Sequence, residues 1–567
     1  MRHRLARLTL AVLLLTPTAY AEDAAHIVFR HGVIHTQDSG RRVVQALAVR
    51  GNHIVAVGSD DDISALIGPS TRVIDLEGRA VLPGIIDAHT HPAASAQDYG
   101  KCDLGDVMLT PSTLARAVRH CIRVHPGDPG SWFSVTQVNP SGLTLRRHDL
   151  DALVSGRPLV MSGSDGHTVW ANSRALRAAH IDLRTLDPTG GHIERDARGV
   201  PTGTLRDMAG DLVFNVIPPL SEATEAENLV RAFAEMHAMG ITSVQDAAVD
   251  EHLMTIYRQL LDSHRLDMRV RASYRLTDLH EAPNALIAKA MAFRERWTLD
   301  PDFLRADAVK IFADGVIETP SRTASLLEPY LDQHGQPTTD RGPSYFEQSA
   351  LDQIVSLADA AGFTVHIHAI GDRATRAALD AFTYSRAHNG ATDTRDQIAH
   401  LELVDPLDIA RFKALGVLAN YQFLWFMADP YITKATIPYL GETRAHQLYA
   451  AHSLLAAGAT LVGGSDWNVS SFNPFEAMER AITRAEARGK PALLPTEAID
   501  IETVVSAYTI NAAYALRQEQ TTGSLEIGKR ADLIVLDRDI FAIDPFELHA
   551  TRVLSTYVDG HEVYRAP

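Results

Sequence analysis

The sequence predicts an α/β fold: a buried parallel sheet with helices between its strands, flanked by a small β-rich unit assembled from both chain ends. Three observations predict it. A helix, a glycine and an apolar strand recur in that order through the middle of the chain, and short strands crowd both termini. The chain is also 567 residues long with 46% hydrophobic and 22% charged residues. That is ordinary globular material, enough for one large barrel with additions or for two or more domains.

Residues 1–21 are set aside before any fold reasoning. Arg2, Arg4 and Arg7 precede the apolar run Leu8–Leu15, and the segment closes on Ala19-Tyr20-Ala21. A positive head, a short apolar stretch and an A-x-A end describe an export signal, and the stretch is too short to span a bilayer. The expectation is an exported chain starting at Glu22, periplasmic in a Gram-negative source and free of the membrane after cleavage. In such a compartment Cys102 and Cys121 either close a loop worth roughly 3 kcal/mol or stay as buried thiols.

The β-rich unit begins with His26–Phe29, Gly32–Thr36, Ala46–Arg50, His53–Val57 and Arg72–Asp75, with turn chemistry at Arg50-Gly51-Asn52 and around Gly78. The C-terminus returns to that character in Ala531–Leu536, Val553–Val558 and Glu562–Tyr564, the last two joined by Asp559-Gly560. Residues 22–83 and 516–567 are therefore expected to form one β-domain. Between them, from 84 to 515, a helix ends at Met239, Gly240 follows, and Ile241–Val244 reads as a strand. The same phrase recurs around Gly362, Gly416 and Gly458. Glycine just past a helix end enters the left-handed region without steric cost, and the repeat is the grammar of βα units. A doubly wound sheet satisfies it as well as a barrel does. Residues 93–235 exceed a usual βα loop by far and are expected to fold over the mouth of the sheet and govern substrate choice.

With 70 acidic and 53 basic side chains the formal charge is −17, which argues against a nucleic-acid partner. The 26 histidines direct attention to metal or proton chemistry. His89 and His91, two apart at the end of an apolar strand, point to one face as a pair of candidate metal ligands. Later strands end in His366 and His368, in His400, and in Asp466, while Lys310 lies inside the apolar strand Ala308–Ala313. An unpaired ammonium there is costly. A parallel barrel would bring these strand ends together at one face.

In the motifs that carry these residues the chain resembles the amidohydrolase superfamily, specifically the amidohydrolase 3 family that includes N-substituted formamide deformylase. The matching pieces are VLPGIIDAHTH (81–91), SDGHTVWANSRAL (164–176), GVPTGTLRD (199–207), VKIFADGVIETPSRTASLLEPY (309–330), HIHAIGDRA (366–374), IAHLELV (398–404), GGSDW (463–467) and GSLEIGKRADLIVLD (523–537). They run in order over the mature chain. The resemblance implies a (β/α)8 TIM-like barrel with a composite β-sandwich and one or two divalent metals, most often zinc, at its mouth. It assigns His89, His91, His368, His400 and Asp466 as ligands. Lys310 falls where a carbamylated lysine would bridge two metals; its alternative is an amine paired with Asp314. His366 is read as supporting or core, and Asp372 and Arg373 as loop braces. His167, Trp170 and Asn172 are candidate substrate-binding residues, with Trp425 and Trp467 as apolar walls, while His31 and His35 read as ordinary β-domain residues.

The implied chemistry is hydrolysis of a carbon–nitrogen bond in a small non-peptide amide, such as an N-acyl or N-formyl compound. A metal-activated water would attack, and Asp466 would carry the proton to the leaving amine. Deamination of a heterocycle uses the same ligands and competes; so does a non-catalytic barrel that only binds. A serine hydrolase is excluded, because Gly463-Gly464-Ser465-Asp466-Trp467 lacks the last glycine of G-x-S-x-G. A homo-oligomer is compatible with the sequence but not readable from it.

Overall fold

Eight parallel strands lie at the centre of the computed structural model, which describes residues 24–124, 126, 130–277 and 281–567. The expected leader at 1–21 lies outside the described residues. In chain order the strands are β1 (Ile85–Thr90), β2 (Ile241–Val249), β3 (Arg269–Arg275), β4 (Leu304–Phe312), β5 (Thr364–Ala369), β6 (Gln397–His400), β7 (Leu418–Tyr421) and β8 (Leu461–Gly463). Each pairs in parallel with the next. The order never reverses, so this is a barrel and not a doubly wound sheet. Its ends meet at the mouth, where Asp466 N donates to His89 O (2.7 Å) and His91 N donates to Trp467 O (2.9 Å). Gly464 permits that approach, since a Cβ there would stand 2.6 Å from the His89 backbone nitrogen.

Alternation along each strand sorts the chemistry. Val309, Ile311, Val365 and Ile367 join the apolar layer beneath the helices, with Leu351, Ile354, Leu379 and Phe382. Their neighbours Lys310, His366 and His368, equally buried, belong to the other face and turn into the barrel. The glycines that end the helices before β2, β5, β7 and β8 all have positive φ, between 69° and 86°.

Two sheets form the terminal unit. One has the order 53–58, 46–50, 27–30, 72–75; the other runs 561–565, 553–558, 533–536, 80–83, 33–35, 43–44 and thus mixes both chain ends. Ile534 faces Leu82 across the antiparallel seam. Phe29, Leu47, Val81, Leu533 and Tyr557 fill the space between the sheets. The strand Ala80–Pro83 feeds directly into β1, so the sandwich is fastened to the first barrel strand.

The long segment after β1 carries its own six-stranded sheet. Leu114, Val135, Leu150, Met161 and Trp170 make one of its cores. Cys102 and Cys121 are bonded, tying the strand Cys102–Asp103 to the helix Pro111–Val124. Loops of this unit reach the barrel mouth, where Gln137, Ser164, Asp165 and His167 share a cavity wall with residues from the barrel strands.

Candidate metal centre

His89 and His91 stand at the end of β1, and Asp466 stands three residues past β8. One ligand atom from each lies within 4.8 Å of the other two. Asp466 Oδ1 is 3.0 Å from His91 Nε2 and 3.4 Å from His89 Nε2. The aspartate has φ +55°, a left-handed conformation a non-glycine residue adopts at a cost of about 1–3 kcal/mol. That turn is held by the bond from Asp466 N to His89 O, so the closure of the barrel aims the carboxylate.

The later strands complete the ring. The His89 and His400 rings are 4.8 Å apart and those of His368 and His400 4.5 Å. Lys310 Nζ is 3.2 Å from His89 Nε2. Asp314, the lysine's alternative partner, is instead engaged by the amides of Ser325, Ile370 and Gly371 at 2.8–3.0 Å, and its Oδ1 lies 3.3 Å from His368 Nδ1. The carboxylate therefore braces the β5 histidine and leaves the lysine free to face the other candidate ligands.

Burial sets the protonation pattern. It pushes His89, His368 and His400 well below the ordinary histidine value, and neighbouring positive groups add to the effect. These imidazoles are neutral, with lone pairs to share. Burial also lowers Lys310 to about 7. Burial alone would raise Asp466, but its hydrogen bond and attraction to His91, with Lys310 and His368 nearby, hold it below the usual carboxylate range. His400 Nδ1 is buried without a hydrogen-bond partner among the described residues. Neutral imidazoles, an anionic carboxylate and an orphaned ring nitrogen make a donor set that fits a divalent metal.

Support comes from below. His366 Nε2 meets His89 Nδ1 at 3.0 Å, and Gln245 Nε2 reaches His366 Nδ1 at 2.9 Å. Gln397 Nε2 donates to Gln245 Oε1 and Asn420 Nδ2 donates to Gln397 Oε1. This chain fixes the ring of His89 and keeps its Nε2 turned to the centre. Of it, the sequence analysis identified only His366; the signal for the rest was three amides inside apolar strands. Arg373 bonds Ser325 Oγ and Asp372 takes the amide of Leu327, both bracing the loops.

A cavity of about 440 Å³ opens over the centre, with His167, Trp425 and Trp467 among its lining residues. His167 Nδ1 is 2.6 Å from Asp207 Oδ1. Although burial opposes it, that bond raises the histidine's proton affinity. Trp425 stacks on His400 at 5.5 Å. Trp170 and Asn172 are not at this cavity. Trp170 is packed in the core of the inserted unit. Asn172 is an N-cap, accepting from the amides of Arg174 and Ala175. They share a motif with His167 because they build the strand and helix that carry it.

Sequence reasoning passed over Glu318 and Glu402, although both lie inside motifs it used. Both line the cavity. Burial pushes both carboxyls upward, with Asp165 and Asp429 adding to it at Glu318 and Glu318 adding to it at Glu402. Burial likewise raises Asp429, to about 6.

Residues 72–564 match the amidohydrolase family. The chain belongs to that family. This amidohydrolase is 30% identical over 545 residues to the N-substituted formamide deformylase of Arthrobacter pascens, covering 93% of this chain and 96% of that one. It is 29% identical over 554 residues to the putative amidohydrolase YtcJ of Bacillus subtilis, covering 95% and 99%. An uncharacterised metal-dependent hydrolase from Pyrococcus horikoshii superposes with a TM-score of 0.71 at 23% identity, over 92% of this chain and 99% of that one; it shares the fold. The amidohydrolase is thus a hydrolase by family, built on a TIM-like barrel with an added domain.

Proposed function

We propose that this amidohydrolase cleaves the carbon–nitrogen bond of a small non-peptide amide, an N-acyl or N-formyl amine, outside the cytoplasm. The observation that carries the reading is the convergence of His89, His91 and Asp466 from the first and last strands of the barrel. His368 and His400 complete the set, and Lys310, carbamylated, would bridge a second ion. Zinc suits these nitrogen and oxygen donors. When bound, a divalent metal lowers the pKa of a water it holds to about 7 and polarises the scissile carbonyl.

The chain's own groups do the rest. Asp466, kept ionised by His91, accepts a proton at its carboxylate from the attacking water and returns it to the leaving nitrogen. His167 is pinned through Nδ1 by Asp207, so Nε2 is the nitrogen left to donate to the substrate. Trp425 and Trp467 shed water from the acyl group. The bonded Cys102–Cys121 pair supports export, since such bonds persist in oxidising compartments.

The test is metal content of the purified protein, followed by hydrolysis of N-formyl and N-acetyl alkylamines before and after chelation. One or two ions per chain are expected, with activity lost on chelation and restored by zinc. Carbon-13 bicarbonate should label Lys310, with no label in Lys310→Ala. A metal-free protein that still hydrolyses these amides, or a loaded one inert on all of them, sinks the reading.

A further inference from the structure

The cavity has an unbalanced wall. Eight of its lining residues are aspartate or glutamate, and none is lysine or arginine. Most of the carboxylates have structural work. Asp106 takes the hydroxyls of Ser164 and Tyr431, and Asp165 takes the amides of His167 and Thr168. Glu318 and Glu402 are different. Glu402 is 3% exposed, and its Oε2 has no hydrogen-bond partner among the described residues. No ion pair among the described residues engages either side chain, and Asp429 adds a third carboxylate on the same wall.

Apolar and aromatic surface surrounds them. Trp425, Tyr449 and Ile432 line the same cavity. An aromatic face beside a buried, unpaired carboxyl favours an organic cation, whose charge would offset the burial that otherwise disfavours the ionised form. A substrate ending in an apolar group would leave the buried Glu402 oxygen unpaired, at a cost of the kind buried polar groups impose. The overall charge of −17 draws cations toward the opening.

We infer that Glu318 and Glu402 form an ammonium subsite, and that the substrate carries a protonated amine a few bonds from the scissile carbonyl. Glu402 follows His400 by two residues and both reach the cavity. The cation therefore sits beside the reacting centre, within roughly two residue lengths. This inference rests on the amide-hydrolase reading for its chemistry but not for its binding geometry.

Two isosteric amides test it: N-formyl-1,4-diaminobutane, which ends in an ammonium, and N-formylpentylamine, which ends in a methyl. Metal-loaded protein should bind the first at least tenfold more tightly by calorimetry and, where it turns over, prefer it at least tenfold in kcat/KM. That preference should shrink with added salt. In Glu402→Gln and, separately, Glu318→Gln the cationic-to-neutral ratio should fall toward one; the two variants sit on different loops, so one folding defect cannot imitate the result. Equal binding of the two probes, binding of neither, or a ratio unchanged in both variants overturns the inference. Selective binding of the ammonium probe without hydrolysis of either amide would uphold the subsite while removing the amide-hydrolase reading.

Discussion

The two ends of the barrel bury charge to the same depth and treat it oppositely. At the floor, Arg271 is fully buried, yet its guanidinium meets Asp307 at 2.7 Å, Thr364 Oγ1 at 2.8 Å and the carbonyl of Ala515 at 2.5 Å. Asp396 is just as buried and accepts from Val365 N, Thr394 Oγ1 and Arg386 Nη2. At the mouth the same strands gather His89, His91, His368, His400 and Lys310, which are donors or lone pairs of one kind facing one another. Floor charges complete each other and hold the strands in place. At the mouth Asp466 is the anion that meets His91 and His89, and the groups around it are nitrogen donors that a cation would join. Burial alone does not distinguish structural from functional charge; the identity of the partner does.

The comparison breaks most visibly at Asp466. Asp466→Asn keeps the shape and hydrogen-bonding reach of the side chain but removes the anion that meets His89 and His91. A loss of about a thousandfold in kcat is expected, with the melting temperature of the metal-free protein close to wild type. His89→Ala should behave alike. If metal-loaded Asp466→Asn kept near wild-type turnover, the mouth would be another structural network.

At the floor the ordering reverses: stability goes and the metal stays. Asp307→Asn leaves the buried Arg271 without its counter-ion, and breaking such a pair typically costs about 3–5 kcal/mol. Arg271 and Arg305 hold Asp307 at about 2 despite burial, against 3.8 in the unfolded chain. A depressed folded value means the stabilisation is complete above about pH 4 and disappears as pH falls through about 2. The titration accounts for about 2 kcal/mol. Denaturant unfolding at pH 7 and again between pH 4 and 2 should show the difference between wild type and Asp307→Asn shrinking with acid, while metal content at pH 7 is unchanged.

Much of this division was legible before any coordinates. The helix–glycine–strand phrase marks β2, β5, β7 and β8, because a chain leaving a helix for a buried strand needs a residue tolerant of positive φ. His89, His91, His400 and Asp466 are legible because polar groups at the ends of apolar strands have few other uses. What the sequence hides is which neighbour answers each charge. Lys310 reads as a bridging carbamate at the metal site with a pairing to Asp314 as its alternative, and only the fold shows Asp314 turned to backbone amides. Barrel order is hidden for the same reason, since the repeat says that strands are parallel but not where the last one lies. Glu402 is hidden by its own motif, where a glutamate two residues past a ligand looks like loop polarity until its burial is seen.

Trp170 and Asn172 show how a motif can mislead, and Asn172 allows the smallest and sharpest test. Its Oδ1 accepts from the amides of Leu159, Arg174 and Ala175, while Nδ2 donates to the carbonyls of Val154 and Arg157. Every polar atom of the side chain is spent on the helix it caps and on the backbone between residues 154 and 159, and none reaches the cavity. Asn172→Ala removes a helix cap and strands a buried amide, together worth about 1–2 kcal/mol. The melting temperature should fall by a few degrees, with kcat, KM and the preference between cationic and neutral amides unmoved. A residue that lined the pocket would do the reverse, moving KM or selectivity with little effect on melting. A changed KM in a stably folded Asn172→Ala protein would therefore show that the inserted unit transmits its packing to the mouth through His167, and that its core is part of the recognition surface.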